Sequence, residues 1–304
     1  GNICSVITTD LLIEGIHFNL VYTPLRHLGY KAVVVNLSDI YAMNATPKQI
    51  TVSIAISKKF AVNHIEEIYE GIKLACENYH IDLVGGDTSS SLTGLAISIT
   101  AIGEAKKEDI IYRSNAKNTD VVCVTGNLGG AYMGLQLLER EKEIFNANPG
   151  TQPKLEGYDY ILQRQLKPEA RKDIIELFKE LKVKPTSMID ISDGLSSEIL
   201  HICKDSDVGC KIFQDKIPID LNTEKMANEF NLEPLIAALN GGEDYELLFT
   251  IDINDLEKIK GHPLIHPIGH IADKETDAVL ITSSGQSIPL QAQGWNPLKK
   301  SGKK

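Results

Sequence analysis

The sequence predicts an α/β protein of two domains, spanning residues 1–115 and 116–304. A chain of 304 residues has the length of roughly two domains. Short runs rich in Val and Ile alternate with segments of helical periodicity, which is typical of sheets flanked by helices. A polar stretch at 106–118 separates the halves, and the pattern of strand, glycine turn and helix starts again at Val121.

The first half predicts four strands and one long helix. The strands are rich in Val, Ile and Thr and are predicted at 3–10, 32–37, 51–56 and 95–102. Residues 64–79 predict a helix because Ile65, Ile68 and Ile72 recur at spacings of three and four. Asn63, with Glu66 three residues later, forms the pattern of a capping box at its start.

The second half predicts three strands and three helices. The strands are predicted at 121–126, 188–191 and 247–251, and the helices at 127–139, 168–181 and 195–203. Pro168 is predicted in the first turn of its helix, where a missing N–H costs nothing. Residues 145–158 are rich in Pro, Gly and Asn and predict a loop.

Composition and charge exclude several classes of function. The net charge of −10 argues against a nucleic-acid partner, because the only basic cluster is the tail at 299–304. No apolar run approaches the ~20 residues that span a membrane, and the first residues are neither basic nor followed by the apolar core of a signal peptide. Five cysteines without a C-x-x-C pair indicate a reducing, cytoplasmic location.

Short acidic motifs recur along the whole chain. They are T-T-D at 8–10, N-L-S-D at 36–39, G-G-D-T at 85–88, D-I-S-D-G at 190–194 and G-G-E-D-Y at 241–245. Each lies beside a predicted strand or a glycine turn, where the backbone positions the carboxylate. If all five converge on one cleft they repel one another unless cations are present, and Mg²⁺ suits carboxylates that meet substrate phosphates. For each Asp, a role as a turn or cap residue stays open.

The sequence contains neither a Walker A motif nor a G-x-G-x-x-G after a strand. The segment G-N-L-G-G at 126–130 opens a helix, so its N–H groups could face an anion, or it could be a tight turn for close packing. A protein that handles nucleotide phosphates without a basic loop needs metal ions to supply positive charge.

The order of these motifs, together with E-G-I-H-F at 14–18 and G-G-E-D-Y-E-L at 241–247, resembles thiamine-monophosphate kinase, a family of the PurM-like ATP-binding superfamily. The resemblance covers nearly the whole chain. It implies a two-domain PurM-like α/β (α+β) fold, in which the mixed sheet of the N-terminal domain forms a barrel with a second copy in a homodimer. It also implies in-line phosphoryl transfer from ATP, the co-substrate, to thiamine phosphate with several Mg²⁺ ions and no covalent intermediate.

The resemblance assigns roles to individual residues. The residues that it implies as metal ligands are Thr8, Thr9, Asp10, Asp39, Asp87, Asp190 and Asp193, of which Asp39, Asp190 and Asp193 are also the expected catalytic groups. The expected ATP-binding residues are Gly86, Asp87, Arg113 and Ser192, and those for thiamine phosphate are His17, Glu243 and Trp295.

Two departures from the family pattern stand at the ends of the sequence. The family has an acidic G-D-D segment upstream of T-T-D, and nothing here matches it; either the sequence starts after this segment, or the segment is absent and one metal ion lacks a ligand. The family's aromatic-rich end is G-W-N-P-L here, at 294–298, and keeps only the first aromatic residue.

Two alternatives remain open from the sequence. The first is another enzyme of the superfamily, such as aminoimidazole-ribonucleotide synthetase, selenophosphate synthetase or a hydrogenase-maturation dehydratase. The hydrogenase-maturation dehydratase has a C-terminal Cys, and selenophosphate synthetase needs a reactive Cys or selenocysteine in a Gly-rich N-terminal segment. Neither pattern occurs here. The second is a nucleotide or metal sensor that keeps an acidic cleft without turnover.

Overall fold

The computed structural model describes residues 1–292, which form two mixed sheets with helices packed on them. The strands are β1 Ile3–Ile13, β2 Thr46–Ile56, β3 Asp82–Ser90, β4 Ala96–Lys106, β5 Val121–Thr125, β6 Ser187–Asp190, β7 Gly209–Phe213, β8 Leu247–Ile251, β9 Ile265–Ala272, β10 Ala278–Ile281 and β11 Ser287–Pro289. The helices are α1 Leu25–Ala42, α2 Val62–Tyr79, α3 Gly130–Ala147, α4 Asp159–Leu166, α5 Lys172–Leu181, α6 Leu195–Ser206, α7 Leu221–Glu229, α8 Pro234–Asn240 and α9 Leu256–Ile259. The predicted α/β class is confirmed. Within 1–292, no helix has the length and apolar character needed to cross a membrane.

The first sheet has the strand order β1-β4-β2-β3, and the second has the order β11-β10-β7-β9-β5-β8-β6. In the first sheet, β4 pairs antiparallel with β1 and β2, while β3 adds parallel to β2. Helix α1 packs on one face of this sheet and α2 packs on α1. Val6 and Leu12 of β1 point into that core, whereas Ile3 and Ile7 point to the other face and are 66% and 65% exposed. One face of the first sheet is therefore uncovered and carries large apolar side chains.

The predicted strand at 32–37 is wrong, because these residues form the middle of α1. Helix α1 lies between the sheet and α2 and is buried on nearly every side, so it has no polar face to reveal its helical period. A short apolar run of this kind has the same pattern in a buried helix and in a buried strand. As a result, Asp39 projects from the last turns of a helix and not from a strand end.

Two glycines let α1 and α2 pack closely. A Cβ added at Gly29 would lie 2.0 Å from the Ile68 carbonyl oxygen, and one at Gly71 would lie 1.9 Å from that of Arg26. Any side chain at either position would force the helices apart.

Several predicted boundaries also move. Helix α2 begins at Val62, and the Ala61 N–H donates to His64 Nδ1 at 3.0 Å, so Asn63 is not its cap. Pro168 precedes α5, which begins only at Lys172, and α4 begins at Asp159, directly after the predicted loop. Helix α3 begins at Gly130 because Gly129 adopts a positive φ of 82°. The strands predicted at 121–126, 188–191 and 247–251 and the helix at 195–203 are confirmed within two or three residues.

Candidate functional site

An acidic cavity of about 780 Å³ lies where β1 and α1 meet β6 and α6. Its polar lining consists of Thr8, Asp39, Tyr112, Arg113, Ser114, Asp190, Ser192, Asp193, Glu198, His201 and Asp205. The first, second and fourth acidic motifs of the sequence thus meet at one place, although they are far apart along the chain.

Hydroxyl groups hold the central carboxylates in place. Thr8 Oγ1 donates to Asp39 Oδ2 at 2.5 Å, and Ser38 Oγ donates to Asp190 Oδ2 at 2.6 Å. The Asp10 N–H donates to the side-chain oxygen of Asn36 at 3.1 Å. These bonds connect β1 and β6 to one turn of α1.

In the absence of a cation, ionisation of these carboxylates is unfavourable. Burial, with a contribution from Asp39, raises the pKa of Asp10 to about 6. Burial raises the pKa of Asp39, and burial together with Asp39 raises the pKa of Asp190 well above its ordinary value. Buried acidic groups of this kind are stabilised in their charged form by a cation.

The oxygen ligands of this cavity fit a Mg²⁺ ion only if the substrate supplies further ligands to the same ion. Within residues 1–292, no three His, Cys, Asp or Glu side chains are close enough to enclose a metal ion by themselves. Mg²⁺ commonly uses one or two carboxylates and completes its shell with water and phosphate oxygens. In one chain the motifs at 85–88 and 241–245 lie outside the cavity lining, so the convergence of all five motifs stays a prediction.

Helix α6 supplies residues that sequence reasoning missed. The buried Glu198 accepts a hydrogen bond from the Asp193 N–H at 3.1 Å, and burial raises its pKa to about 7. Asp205 pairs with Arg113 at 2.5 Å. The polar residues Glu198, His201 and Asp205 recur at spacings of three and four, so the helical period could have placed them on the face that continues from Asp193.

Glu243 lies beside this cavity but points its carboxylate elsewhere. Glu243 Oε2 accepts from Lys31 Nζ at 3.1 Å and from Gln165 Nε2 at 2.8 Å. Its backbone N–H donates to the Ser192 carbonyl at 2.7 Å, which joins the last acidic motif to D-I-S-D-G.

Asp244 and Glu246 serve the fold. Asp244 accepts from the N–H groups of Gly129 and Ala131, at 2.7 and 3.4 Å, at the start of α3. The anion that faces G-N-L-G-G is therefore an internal carboxylate, and the phosphate interpretation of 126–130 is wrong. Glu246 is buried between Arg164 and Arg171, at 2.9 and 2.6 Å.

Gly86 and Asp87 lie on the edge strand opposite β1. Asp10 pairs with Ile99, which pairs with Val52, which pairs with Gly86. Three strand spacings separate Asp10 from Gly86, about 14 Å. Because adjacent residues on a strand face opposite sides, Asp87 projects from the uncovered face, away from Asp10. One chain therefore does not bring Asp87 to the other acidic residues.

The remaining residues predicted for the site are His17, Thr9 and Trp295. His17 lies exposed in the turn after β1, and its Nδ1 accepts from the Ile13 N–H at 3.0 Å. Glu14 of the same motif is occupied by the Leu95 N–H at 2.9 Å and by Lys59. Thr9 donates to the Ile99 carbonyl at 3.2 Å. Trp295 lies outside the described residues.

Comparisons with known proteins show which family the chain resembles. Residues 1–105 match the family model described as AIR synthase related protein, N-terminal domain. Thiamine-monophosphate kinase of Bacillus subtilis is 34% identical over 299 residues, which cover 97% of this chain and 88% of that protein. Its counterpart in Buchnera aphidicola subsp. Schizaphis graminum is 37% identical over 95% of this chain and 86% of its own length.

Solved structures show the same likeness. AaThiL complexed with AMPPCP and TMP superimposes with a TM-score of 0.82 at 32% identity, covering 96% of this chain and 86% of that one. The hydrogenase maturation protein HypE in complex with ATP superimposes with a TM-score of 0.76 at 15% identity, which shows a shared fold alone.

Proposed function

Since the chain belongs to the thiamine-monophosphate kinase family, we propose that it transfers the γ-phosphoryl group of ATP directly onto thiamine phosphate, forming thiamine diphosphate and ADP. The observation that carries the proposal is the meeting of Asp39, Asp190 and Asp193 at one cavity, where Thr8 and Ser38 donate hydrogen bonds to the first two. The size of the cavity, about 780 Å³, suits a nucleotide.

We propose that the carboxylates of this cavity, with Thr8 and Thr9, hold Mg²⁺, which when bound neutralises charge on the phosphates. Asp39, Asp190 and Asp193 are the proposed catalytic carboxylates, since they line the space where the phosphates would lie. Arg113 and Ser192 would orient the nucleotide from the same wall. The acceptor oxygen of thiamine phosphate is already ionised near neutral pH, so the chain needs no general base.

The acceptor would bind on the side of Glu243 and His17. Glu243 is partly exposed, with its carboxylate fixed by Lys31 and Gln165, so it offers a pre-oriented anion to the cationic thiamine ring. Trp295 stays a proposed stacking partner for that ring.

A homodimer completes this proposal. The uncovered face of the first sheet carries Ile3, Ile7 and Leu11, large apolar side chains that a second sheet would bury. Closure of two such sheets into a barrel would bring the Gly86–Asp87 pair of one copy to the cavity of the other. The domain limits of 1–115 and 116–304 and a cytoplasmic location, which five free cysteines favour, belong to the same proposal.

Release of ADP in the presence of thiamine phosphate tests the function. We expect turnover with ATP, thiamine phosphate and Mg²⁺, none in EDTA, and recovery when Mg²⁺ is restored. Thiamine, aminoimidazole precursors and selenide replace thiamine phosphate as control acceptors. ADP release that is independent of thiamine phosphate, or full transfer in EDTA, would contradict the proposal.

A further inference from the structure

Tyr245 has an unusual backbone for an aromatic residue. Its φ is +52° and that of Glu243 is +58°, so two non-glycine residues adopt the left-handed region within three positions. This conformation is uncommon outside glycine and persists only where the surroundings enforce it. Two backbone bonds do so here, from the Glu243 N–H to Ser192 and from the Tyr245 N–H to the Ile191 carbonyl at 2.9 Å. The chain thus fixes Tyr245 directly against the Asp190–Asp193 segment.

The ring is buried while the hydroxyl stays accessible. Tyr245 is 8% exposed and packs in the apolar core that contains α1 and β8. Its phenol oxygen makes no hydrogen bond to any residue within 1–292, yet it is not sealed from solvent. Buried tyrosines normally direct this group to a partner. An accessible, unpaired hydroxyl on a fixed ring is therefore available to a ligand.

The surroundings of the hydroxyl indicate which ligand. The carboxylates of Glu243, Asp190, Asp10 and Asp39 all act electrostatically on the phenol. Burial, and after it these carboxylates, raises the pKa of the phenol well above its ordinary value, so the group remains a proton donor throughout the ordinary pH range. Tyr245 is not part of the lining of the nucleotide-sized cavity, which includes Asp39 and Asp190. Its backbone bonds to Ile191, between the cavity residues Asp190 and Ser192, and it follows Glu243 by two positions, so Tyr245 lies between the cavity wall and Glu243.

We infer that Tyr245 is a further substrate-contacting residue, whose hydroxyl donates a hydrogen bond to the phosphate of thiamine phosphate and positions it for attack on the γ-phosphoryl group. The inference rests on the proposed function, since it takes the Glu243 side as the acceptor side. It explains why a bulky residue is kept in a strained backbone conformation between two acidic motifs.

Tyr245→Phe removes only the hydroxyl. We expect the affinity for thiamine phosphate, measured by calorimetry with Mg²⁺, to fall about tenfold or more, because a hydrogen bond to a charged group is lost. The kcat/KM for thiamine phosphate should fall at least as much, while the affinity for a non-hydrolysable ATP analogue and the melting temperature stay unchanged.

Tyr41→Phe is the matched control. Tyr41 is 3% exposed in the same core, and the carboxylate that acts on its phenol is Glu176 on α5, not the acidic cluster. This variant should bind both ligands as the wild type does. Wild-type turnover is measured first, so that failure of the proposed function is seen separately. With an active wild type, unchanged affinity for thiamine phosphate in Tyr245→Phe, or equal losses for both ligands, overturns the inference.

Discussion

Asp39 combines two properties that conflict in the absence of a cation. Its carboxylate is fixed by Thr8, and burial raises its pKa, so the folded protein opposes its charge. A structural Asp in a turn would show the reverse, since caps and ion pairs favour the charged form. The residue is better explained by a positively charged ligand than by the fold.

Replacement of this carboxylate should separate catalysis from stability. We expect Asp39→Asn to lower kcat about 100-fold or more, a cost of about 2.7 kcal/mol in the transition state. The melting temperature without metal should stay the same or rise, because an unfavourable buried charge is removed. Asp109→Asn, at an exposed position, is the control. Near-normal kcat in the folded Asp39→Asn variant would reassign Asp39 to structure.

The pH dependence of stability should show the same conflict. Asp10 has a pKa of about 6 in the folded protein against an ordinary 3.8, so the folded state binds its proton more tightly than the unfolded chain does. The free energy of unfolding therefore falls as pH rises between these values. In EDTA we expect the melting temperature to drop by ~3 °C or more between pH 4.5 and 7.

Mg²⁺ should reduce this drop, because it stabilises the carboxylates in their ionised form. Asp10→Asn should flatten the profile in EDTA, since the titrating group is gone. A melting temperature in EDTA that rises steadily over the same interval would show that the acidic cluster does not control stability here.

Helix α1 is the element that assembles the site. It carries Asn36, Ser38 and Asp39 against β1 and β6, and its position depends on close contact with α2 at Gly29 and Gly71. The chemistry of the site is thus coupled to a packing contact several turns away.

Gly71→Ala tests that coupling. The new Cβ would lie 1.9 Å from the Arg26 carbonyl oxygen, so α1 must shift. We expect a loss of ~3 kcal/mol in stability, the upper end for overpacking, because backbone cannot move aside as a flexible side chain can. The melting temperature, measured by differential scanning calorimetry, and kcat should decline together. Gly150→Ala, whose Cβ meets only Asn148 at 3.6 Å, should leave both unchanged.

The sequence predicts elements and motifs well where the signal is local. The alternating strands and the amphipathic helix α2 were predictable from period alone, and so were Asp39 and Asp190 as members of acidic motifs. Helix α1 was not, because burial on all sides removes its polar face. Asp244 resembled a site residue because its partners, the N–H groups of α3, lie more than a hundred positions away. Long-range pairing of this kind leaves no local pattern.

At the scale of the whole molecule, strand order limits what the sequence can predict. In the order β1-β4-β2-β3, the T-T-D and G-G-D-T motifs occupy opposite edges of one sheet. No local feature of the sequence gives that order, so the expected single cluster divides between two edges and two faces. A closed assembly of two copies would remove both edges and cover the apolar face, which open sheets otherwise expose.

Mixed dimers provide the decisive test of this arrangement. If each site takes Asp39 from one chain and Asp87 from the other, Asp39→Asn and Asp87→Asn are each inactive alone but complement each other. Random pairing of equal amounts makes half of the dimers mixed, and one of the two sites in each is intact, so about a quarter of wild-type activity should return.

The two variants are co-expressed with different tags, and the doubly tagged dimer is purified and assayed for ADP release. That mixed dimer should have about half the activity of the wild type. As a control, Asp39→Asn paired with Asp190→Asn, whose side chains line the same cavity of one chain, should stay inactive. Equal inactivity of both mixtures would show that Asp87 acts within its own chain or not at all, since only a residue supplied by the partner can be rescued by it.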